Sequence, residues 1–347
     1  MRSDRPKPLH MLCGRPMLLY VLDSLAGCTV DRAIIVVGHG AERVTKKLQE
    51  LGPDVPLDFV EQREQRGTGD AASVGLTAFG DDVPDDEADV LIMLGDTPLL
   101  RAETIAALVA AHRESGAACT VLTAQLEDPT GYGRIVRGRN DRVVRIVEQA
   151  DATDDERAIT EINTGIFCFR RTLLAPALRR LTPTNSQGEY YLTDVVEVLS
   201  TAGHPVGSFV APDPSETHGV NDRAQLAAAE GRLRARTNQA WLQRGVTMVD
   251  PDITYVDATV RLAPDVTLFP GVVLQGNTVV GPDTEIGPGS HLVDCSVGAR
   301  CVLEHTVGRD AEVGDDAVVG PFAVLEPGAQ IPAGARTGAF YTARSEP

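Results

Sequence analysis

A single carboxylate, Asp96, follows an apolar run and precedes the turn Thr97-Pro98. The run covers residues 90–94, and Gly95 separates it from Asp96. Five apolar residues without polar alternation predict a strand covered on both faces, as in a parallel sheet flanked by helices. Ligands of open α/β sheets bind beyond the carboxyl ends of the strands, where one carboxylate can hold Mg²⁺ against phosphates. Asp96 is therefore predicted to bind a metal; the structural alternative is that it caps the next helix.

A glycine turn, Gly67-Thr68-Gly69, stands between a predicted strand at 57–60 and a predicted helix, with Gln62 upstream of it. Glycines let backbone N–H groups approach a ligand closely, and a helix N-terminus carries partial positive charge. The turn could therefore hold an anionic or polar ligand. Such turns are also ordinary architecture before a helix.

A third set of polar groups suits hydroxyl-bearing ligands. Gly131-Tyr132-Gly133 lies at the entrance of a predicted strand, Glu148 follows another strand, and Asn163 opens a third. Carboxylate and amide groups can hydrogen-bond sugar hydroxyls, and glycines let a sugar lie against the backbone. Taken separately, each residue could equally be structural, because Asn and Gly are common in turns.

These residues need a scaffold, and residues 1 to about 225 supply one by alternating short apolar runs with helical patterns, as α/β proteins do. The predicted strands are 33–37, 57–60, 90–94, 118–124, 134–136, 143–147, 162–169 and 206–210. The predicted helices are 16–25, 70–79, 102–113, 171–180, 193–202 and a long one over 221–244, which Gly245 ends.

The last hundred residues repeat with a period of six. Aliphatic residues recur at Leu268, Leu274, Val280, Ile286 and Leu292 and, after a contraction, at Val313, Val319, Leu325 and Ile331. Smaller residues keep step two positions earlier, and Gly follows an aliphatic residue in pairs such as Val280-Gly281 and Val307-Gly308. This period predicts short strands that turn corners and stack coil upon coil around an internal aliphatic column. A β-sandwich would instead show polar and apolar alternation with longer loops.

Composition narrows the class of partner. The formal charge of −17 over 347 residues argues against a nucleic-acid surface, which needs clustered Lys and Arg, but allows small anionic substrates. The six cysteines have no metal-ligand spacing and fit a reducing cytoplasm. No apolar signal region or membrane-spanning run is visible. The acidic run Asp81, Asp82, Asp85, Asp86 and Glu87 predicts a solvated loop.

Seven motifs in order give the chain a specific resemblance. The motifs are Ser3-Asp4-Arg5-Pro6-Lys7-Pro8-Leu9-His10, Gln62 with Gly67-Thr68-Gly69, Leu94-Gly95-Asp96, Asp128-Pro129-Thr130-Gly131-Tyr132-Gly133-Arg134-Ile135, Glu161-Ile162-Asn163-Thr164-Gly165-Ile166, Gln187-Gly188-Glu189-Tyr190-Tyr191-Leu192-Thr193-Asp194 and Gly219-Val220-Asn221. With these motifs the chain resembles the family of the bifunctional N-acetylglucosamine-1-phosphate uridyltransferase / glucosamine-1-phosphate acetyltransferase.

The resemblance implies a mixed α/β architecture in three parts. Residues 1–220 would form a Rossmann-like nucleotidyltransferase domain, residues 221–245 a linker helix, and residues 246–347 a left-handed β-helix of hexapeptide repeats that assembles as a homotrimer. The implied reaction joins UTP and N-acetylglucosamine 1-phosphate to give pyrophosphate and UDP-N-acetylglucosamine, a precursor of cell-wall peptidoglycan.

Motif matches imply a role for each site residue. Asp96 and Asn221 would hold Mg²⁺, and Lys7 would meet the phosphates, so Lys7 and Asp96 are the expected catalytic residues. The remaining expected contacts are Gln62, Gly67 and Thr68 to the uracil, Gly133, Glu148 and Asn163 to the amino sugar, and Leu94 and Gly95 to the substrate beside Asp96.

The chain departs from the family pattern at both ends. Family members carry an apolar strand and a Gly-rich loop before the Ser-Asp-x-Pro-Lys segment, and we expect the true start to lie upstream of Met1. Glu326 stands where the family has a basic residue of the acetyl-transfer site, so we expect no acetyltransferase activity. Two alternatives stay open: an enzyme of the same class that takes glucose 1-phosphate, and a non-catalytic trimeric scaffold or regulatory homologue.

Overall fold

The computed structural model describes residues 1, 3–38, 40–53, 55–79 and 88–344, and it divides into two compact units. The first comprises residues 1–10 and 17–221, and the second comprises residues 11–16 and 222–347. The acidic run at 81–87 lies outside the described residues. The small hairpin at 11–16 (β1, Met11–Leu12; β2, Arg15–Pro16) thus belongs to the second unit.

The first unit is built on two sheets. Strands β3 and β4 pair in parallel, and the other six form a mixed sheet in the order β10-β6-β9-β7-β8, with β5 paired to β9. The strands are β3 (Ala33–Val37), β4 (Leu57–Glu61), β5 (Asp89–Ile92), β6 (Cys119–Gln125), β7 (Arg134–Arg137), β8 (Val143–Val147), β9 (Glu161–Arg170) and β10 (Val206–Val210). All eight strands predicted from sequence are present, with bounds shifted by at most a few residues.

The strand before Asp96 differs from its prediction in two respects. It ends at Ile92 rather than at residue 94, and it runs antiparallel to β9, its partner in the sheet. It is also only half-buried, with Val90 alone fully covered. The prediction of a parallel strand covered on both faces was therefore wrong. A short apolar run does not determine whether the neighbouring strand is parallel or antiparallel.

Helices of the first unit, apart from the polar four-residue helix at 154–157, carry the apolar faces that cover these sheets. They are α1 (Met17–Asp23), α2 (Ala41–Leu51), α3 (Thr68–Leu76), α4 (Ala102–Ser115), α5 (Asp154–Arg157), α6 (Arg171–Leu178) and α7 (Asp194–Thr201). Helix α2 was not predicted from the sequence. Its buried residues Val44 and Leu48 lie four positions apart, the spacing of one helix face, and Gly52 ends it with φ 53°.

The second unit begins with α8 (Arg223–Gln243), which lies within the long helix predicted over 221–244, and continues as a parallel β-helix. Its strands form three sheets, with orders β11-β14-β17-β20-β23, β12-β15-β18-β21-β24-β26 and β13-β16-β19-β22-β25. They are β11 (Thr247–Met248), β12 (Tyr255–Val256), β13 (Arg261–Leu262), β14 (Thr267–Leu268), β15 (Val273–Gln275), β16 (Val279–Val280), β17 (Glu285–Ile286), β18 (His291–Val293), β19 (Ser296–Val297), β20 (Val302–Leu303), β21 (Val307–Arg309), β22 (Glu312–Val313), β23 (Val318–Val319), β24 (Val324–Leu325), β25 (Gln330–Ile331) and β26 (Thr342–Ala343).

The predicted internal column is confirmed. Every aliphatic residue of the period is buried, from Leu268 to Ile331, and so are the small residues two positions earlier. The coils become shorter at the contraction, because Leu292 and its partner Gly308 are closer in the chain than Leu268 and its partner Ile286. The strands nevertheless continue to pair in register. Gly308 itself occupies the inward position, and Val307 points outward with half its surface exposed. The pair Val307-Gly308 therefore does not follow the pattern of Val280-Gly281.

Two smaller expectations were also tested. All six cysteines are free thiols, and five of them are buried, as expected of small core residues. In the part of the chain that the structure describes, no helix combines the length and apolarity needed to cross a membrane.

Candidate functional site

Lys7, Asp96 and Asn221, which we call the Asp96 corner, meet in the first unit. Lys7 lies in a short 3₁₀ turn, Lys7–Leu9, and Asp96 lies in the turn beyond β5. The Lys7 ammonium donates to Asp96 Oδ2 and, over 2.6 Å, to Asn221 Oδ1. Val220 N–H donates to the backbone oxygen of Asp96 (2.8 Å), which fixes the segment that carries Asn221. One cation thus bridges the two oxygen-bearing side chains that were predicted to hold a metal.

The other carboxylate oxygen of Asp96 supports the metal prediction. Asp96 Oδ1 is buried, and within the described residues nothing donates a hydrogen bond to it. Burying a charged oxygen without a partner is costly, so such an atom indicates a ligand that completes the site. Among the described residues, no three or more His, Cys, Asp or Glu side chains are grouped so that they could hold a metal ion by themselves. Mg²⁺ needs only one or two protein oxygens when substrate phosphates complete its shell, and the Asp96 corner offers that kind of donor set.

The glycine turn is built against the segment 190–192. Tyr190 N–H donates to Arg66 O (2.8 Å), Gly69 N–H donates to Tyr190 O (2.8 Å), and Leu192 N–H donates to Thr68 Oγ1 (3.0 Å). Gly67 has φ 111°, and a Cβ placed on it would lie 2.5 Å from Tyr190 O. No residue with a side chain fits there, so the glycine is required by both conformation and space.

Gln62 stabilises the other side of this turn. Its Nε2 donates to Gly67 O (3.2 Å) and to Asp70 Oδ2 (2.8 Å), and Arg66 donates to the other Asp70 oxygen (2.7 Å). Sequence reasoning named Gln62, Gly67 and Thr68, and the structure brings all three together at the start of α3. It missed Asp70, although an acidic residue in the first turn of a helix is a usual sign of a stabilised N-terminus.

Gly133, Glu148 and Asn163, which we call the Glu148 group, lie together at the ends of β7, β8 and β9. Asn163 N–H donates to Gly133 O (2.8 Å), and a Cβ on Gly133 would lie 3.2 Å from Glu148 Oε2. Strand β9 pairs with β7 at Ile162 and with β5 from Phe167 onward. On this edge of β9, residues 163–165 therefore lie between the end of the pairing with β7 and the start of the pairing with β5. Side chains at this gap can face a ligand.

Leu94 connects the Asp96 corner to the Glu148 group. Its Cδ1 would lie 2.6 Å from a Cβ on Gly165, which has φ 78° and donates its N–H to Asn163 Oδ1 (3.0 Å). Leu94 O also accepts from Thr97 Oγ1 (3.0 Å), which shapes the turn around Asp96. Gly95 lies under Leu18, whose Cδ1 would lie 3.3 Å from an added Cβ. Leu94 and Gly95 thus place Asp96 through packing.

Thr193 connects the Glu148 group to the glycine turn. Its hydroxyl donates to Glu148 Oε1 (3.1 Å), one residue after Leu192 meets Thr68. Thr193 belongs to one of the seven motifs, but no role was predicted for it from the sequence. A contact between residues so far apart in the chain carries no local signal that could have revealed it.

Arg134 stabilises the loop that contains Tyr132. Its side chain is almost fully buried and donates to Tyr132 O and to Gln149 Oε1 (2.8 Å for the latter), and Gln149 Oε1 also accepts from Gly131 N–H (3.3 Å). Burial lowers the pKa of the Arg134 guanidinium. Burial raises the pKa of Tyr132, and the negative charge of Asp96 adds to this effect.

Carboxylates around Glu148 are held in an unfavourable environment. Burial raises the pKa of Glu148; the Thr193 hydrogen bond opposes this, while Asp194 and Asp151 add to it. Burial also raises the pKa of Asp194, with Glu197 and Asp151 adding to the effect. Perturbed carboxylates of this kind cluster at functional sites. A ligand hydroxyl donating to Glu148 would relieve part of this cost.

The fold and the three residue groups together define a class. A carboxylate, an ammonium and an amide beyond the end of a sheet strand, with a glycine turn at a helix N-terminus, are the parts of an α/β domain that binds nucleotide phosphates. A family model described as the MobA-like NTP transferase domain matches residues 1–194, and the chain belongs to that family.

Curated proteins similar to this chain share one description, "Bifunctional protein GlmU". That of Thermobifida fusca (strain YX) is 44% identical over 309 residues, which are 89% of this chain and 63% of that protein. That of Streptomyces coelicolor is 48% identical over 269 residues, 77% of this chain and 55% of that protein. That of Desulfitobacterium hafniense (strain DSM 10664 / DCB-2) is 43% identical over 309 residues, 89% and 66% respectively. The chain thus spans about 55–66% of the length of these relatives.

A solved structure extends the likeness to the fold. A UDP-glucose pyrophosphorylase complexed with UDP-glucose matches with a TM-score of 0.53 and 14% sequence identity, over 67% of this chain and 91% of that protein. At this identity the match supports the α/β nucleotidyltransferase fold alone.

Proposed function

We propose that this protein transfers a uridylyl group from UTP to N-acetylglucosamine 1-phosphate, giving UDP-N-acetylglucosamine and pyrophosphate. The observation that carries the proposal is the Asp96 corner: a buried carboxylate oxygen without a donor in the described chain, beside an ammonium that bridges Asp96 and Asn221. The family and the curated relatives support nucleotidyl transfer as the reaction class.

The chemistry needs charge compensation rather than a base. The phosphate of the sugar is already an anionic nucleophile, and its attack on the α-phosphorus brings anions together while charge grows on the departing pyrophosphate. Asp96 and Asn221 would hold Mg²⁺, which neutralises phosphate charge when bound. When Mg²⁺ is held by these two side chains, the Lys7 ammonium would turn away from them and donate to phosphate oxygens.

The other two groups would orient the substrates. The glycine turn presents backbone groups at the N-terminus of α3, and Gln62 adds an amide, so together they suit the polar edge of uracil. Glu148 and Asn163 would bind sugar hydroxyl and amide groups, with Gly133 leaving room for the ring. Positioning of this kind lowers the barrier by holding reactants in near-attack geometry.

The test is pyrophosphate release in a coupled assay with UTP and each of two sugar phosphates. Release that requires N-acetylglucosamine 1-phosphate supports the proposal, whereas preference for glucose 1-phosphate would favour the sister enzyme. A folded protein that binds neither UTP nor sugar phosphate and releases no pyrophosphate would favour the scaffold.

Acetyl transfer is not part of the proposed activity. Glu326 carries a negative charge where the resemblance implies a basic residue, and it lies 3.7 Å from the guanidinium of Arg344. We therefore expect no product from glucosamine 1-phosphate and acetyl-CoA. Release of CoA that depends on the amino sugar would contradict this part of the proposal.

We further propose that the β-helix assembles as a homotrimer. Its sheet from β12 to β26 exposes apolar side chains outward, including Tyr255, Val307 and Val324, and the rings of His305, Phe322 and Phe340 stack beside it with centroids 4.9 and 5.3 Å apart. Exposed apolar surface of this extent suits contact with further copies of the chain. Sedimentation at micromolar concentration should give a trimer, and a clean monomer would refute it.

A further inference from the structure

A cavity of about 470 Å³ lies in the second unit, between the end of α8 and the first coils of the β-helix. It is lined by Trp241 of α8, by Arg244 directly after that helix, and by residues 258–261, Asn277 and Val279 of the coils. Its volume falls within the range of small-molecule sites, which is roughly 300–1,000 Å³. None of these residues belongs to the nucleotidyltransferase site of the first unit.

The cavity concentrates positive charge in an acidic protein. Arg244 and Arg261 are both exposed at its surface, and neither forms an ion pair with a described residue. The carboxylates Asp257 and Asp294 of neighbouring corners accept instead from the backbone N–H groups of Gly276 (3.1 Å) and Asn277 (2.8 Å). Two uncompensated guanidinium groups on one cavity suit an anion, and the planar fork of Arg suits phosphate in particular.

The rest of the lining suits a planar ring. Trp241 is half-buried, and the Arg244 guanidinium carbon lies 5.1 Å from the centroid of its ring. Val279 exposes 43% of its surface, although the other aliphatic residue of its strand, Val280, is buried in the column. The Asn277 side chain adds an amide that can donate and accept. Aromatic, apolar and cationic groups thus line one concave surface.

We propose that this cavity binds a phosphorylated molecule with a planar ring, of the nucleoside diphosphate class. The phosphates would pair with Arg244 and Arg261, and the ring would stack beside Trp241 and Val279. Stacking on an aromatic or guanidinium plane tolerates any base, so the arrangement selects for phosphate and ring together.

Trp241 makes the proposal directly measurable, because it is the only tryptophan of the chain. Titration of the full chain with ADP should change Trp241 emission with saturation, and inorganic pyrophosphate should compete with ADP. Arg244→Gln and Arg261→Gln should each weaken ADP binding about tenfold or more, equivalent to about 1.4 kcal/mol for each factor of ten. Arg309→Gln, on an exposed strand position of another sheet, should bind ADP as the unchanged protein does.

A second control separates this site from the first unit. Lys7→Gln alters the Asp96 corner and should leave the ADP-dependent emission change intact. The proposal is overturned if emission does not saturate, if Arg309→Gln weakens binding as much as the two cavity variants, or if Lys7→Gln abolishes the signal. It is also overturned if the cavity variants change the oligomeric state in sedimentation without changing ADP affinity, since the cavity would then face another copy.

Discussion

The β-helix and the nucleotidyltransferase unit bring residues together over very different chain distances. In the β-helix each strand pairs with the strand one coil further on, so that Leu268 lies against Ile286 and Leu274 against Leu292. In the first unit the Asp96 corner joins residues separated by 89 and 214 positions. In the β-helix the same strand pairing is repeated from coil to coil, between residues close in the chain. A site whose residues are far apart in the chain depends instead on the whole fold around it.

The largest effect on stability is expected from a substitution in the internal aliphatic column of the β-helix. Leu292→Ala removes a fully buried side chain that packs between coils, and it should lower the free energy of unfolding by about 2–5 kcal/mol. Thermal and denaturant unfolding would measure the change. Glu312→Ala, at an exposed strand position of another sheet of the β-helix, is the control and should stay within about 0.5 kcal/mol of the unchanged protein.

A somewhat smaller effect concerns a single long-distance contact of the first unit. Gly67→Ala places a Cβ against Tyr190 O at a φ that favours glycine, so it should cost about 2 kcal/mol or more and raise the KM for UTP. Gly203→Ala is a matched control, because φ is 83° there but nothing lies within 4 Å of the added Cβ. Equal losses in the two variants would mean that the contact with the segment 190–192 is not what requires glycine.

The smallest effect is a gain in stability at the Glu148 group. Burial raises the pKa of Glu148 in the folded protein, so its contribution to stability is present below the ordinary carboxyl pKa and is lost as pH rises through the raised value. Glu148→Gln should therefore be more stable than the unchanged protein at neutral pH while raising the KM for the sugar phosphate. Urea unfolding at acidic and neutral pH would measure this. An unchanged pH dependence in Glu148→Gln, matching that of the exposed control Glu127→Gln, would contradict the assignment.

Most inward-facing residues of the β-helix could be predicted from the sequence, because the six-residue period marks their positions directly. The prediction failed at the contraction, where Gly308 rather than Val307 takes the inward position. In the first unit the strands were predicted, but the direction of β5 and the presence of α2 were not. Pairing direction depends on which distant segment lies alongside, and apolar patterning does not record that.

The candidate site shows the same division. The residue types at Asp96, Gly67 and Glu148 indicated their chemistry from local context, and the resemblance added Lys7 and Asn221. The contacts that position them, from Thr193 to Glu148 and from Leu94 to Gly165, became visible only in the folded unit.

The most direct test of the central claim compares pyrophosphate release by the unchanged protein and by Asp96→Asn, with UTP, N-acetylglucosamine 1-phosphate and saturating Mg²⁺. The substitution preserves size and changes the charge at the buried oxygen, so circular dichroism should be unchanged while the rate falls about 10²–10³-fold. That loss is the predicted result. Release by Asp96→Asn at the rate of the unchanged protein would contradict the account of the Asp96 corner as the site of nucleotidyl transfer.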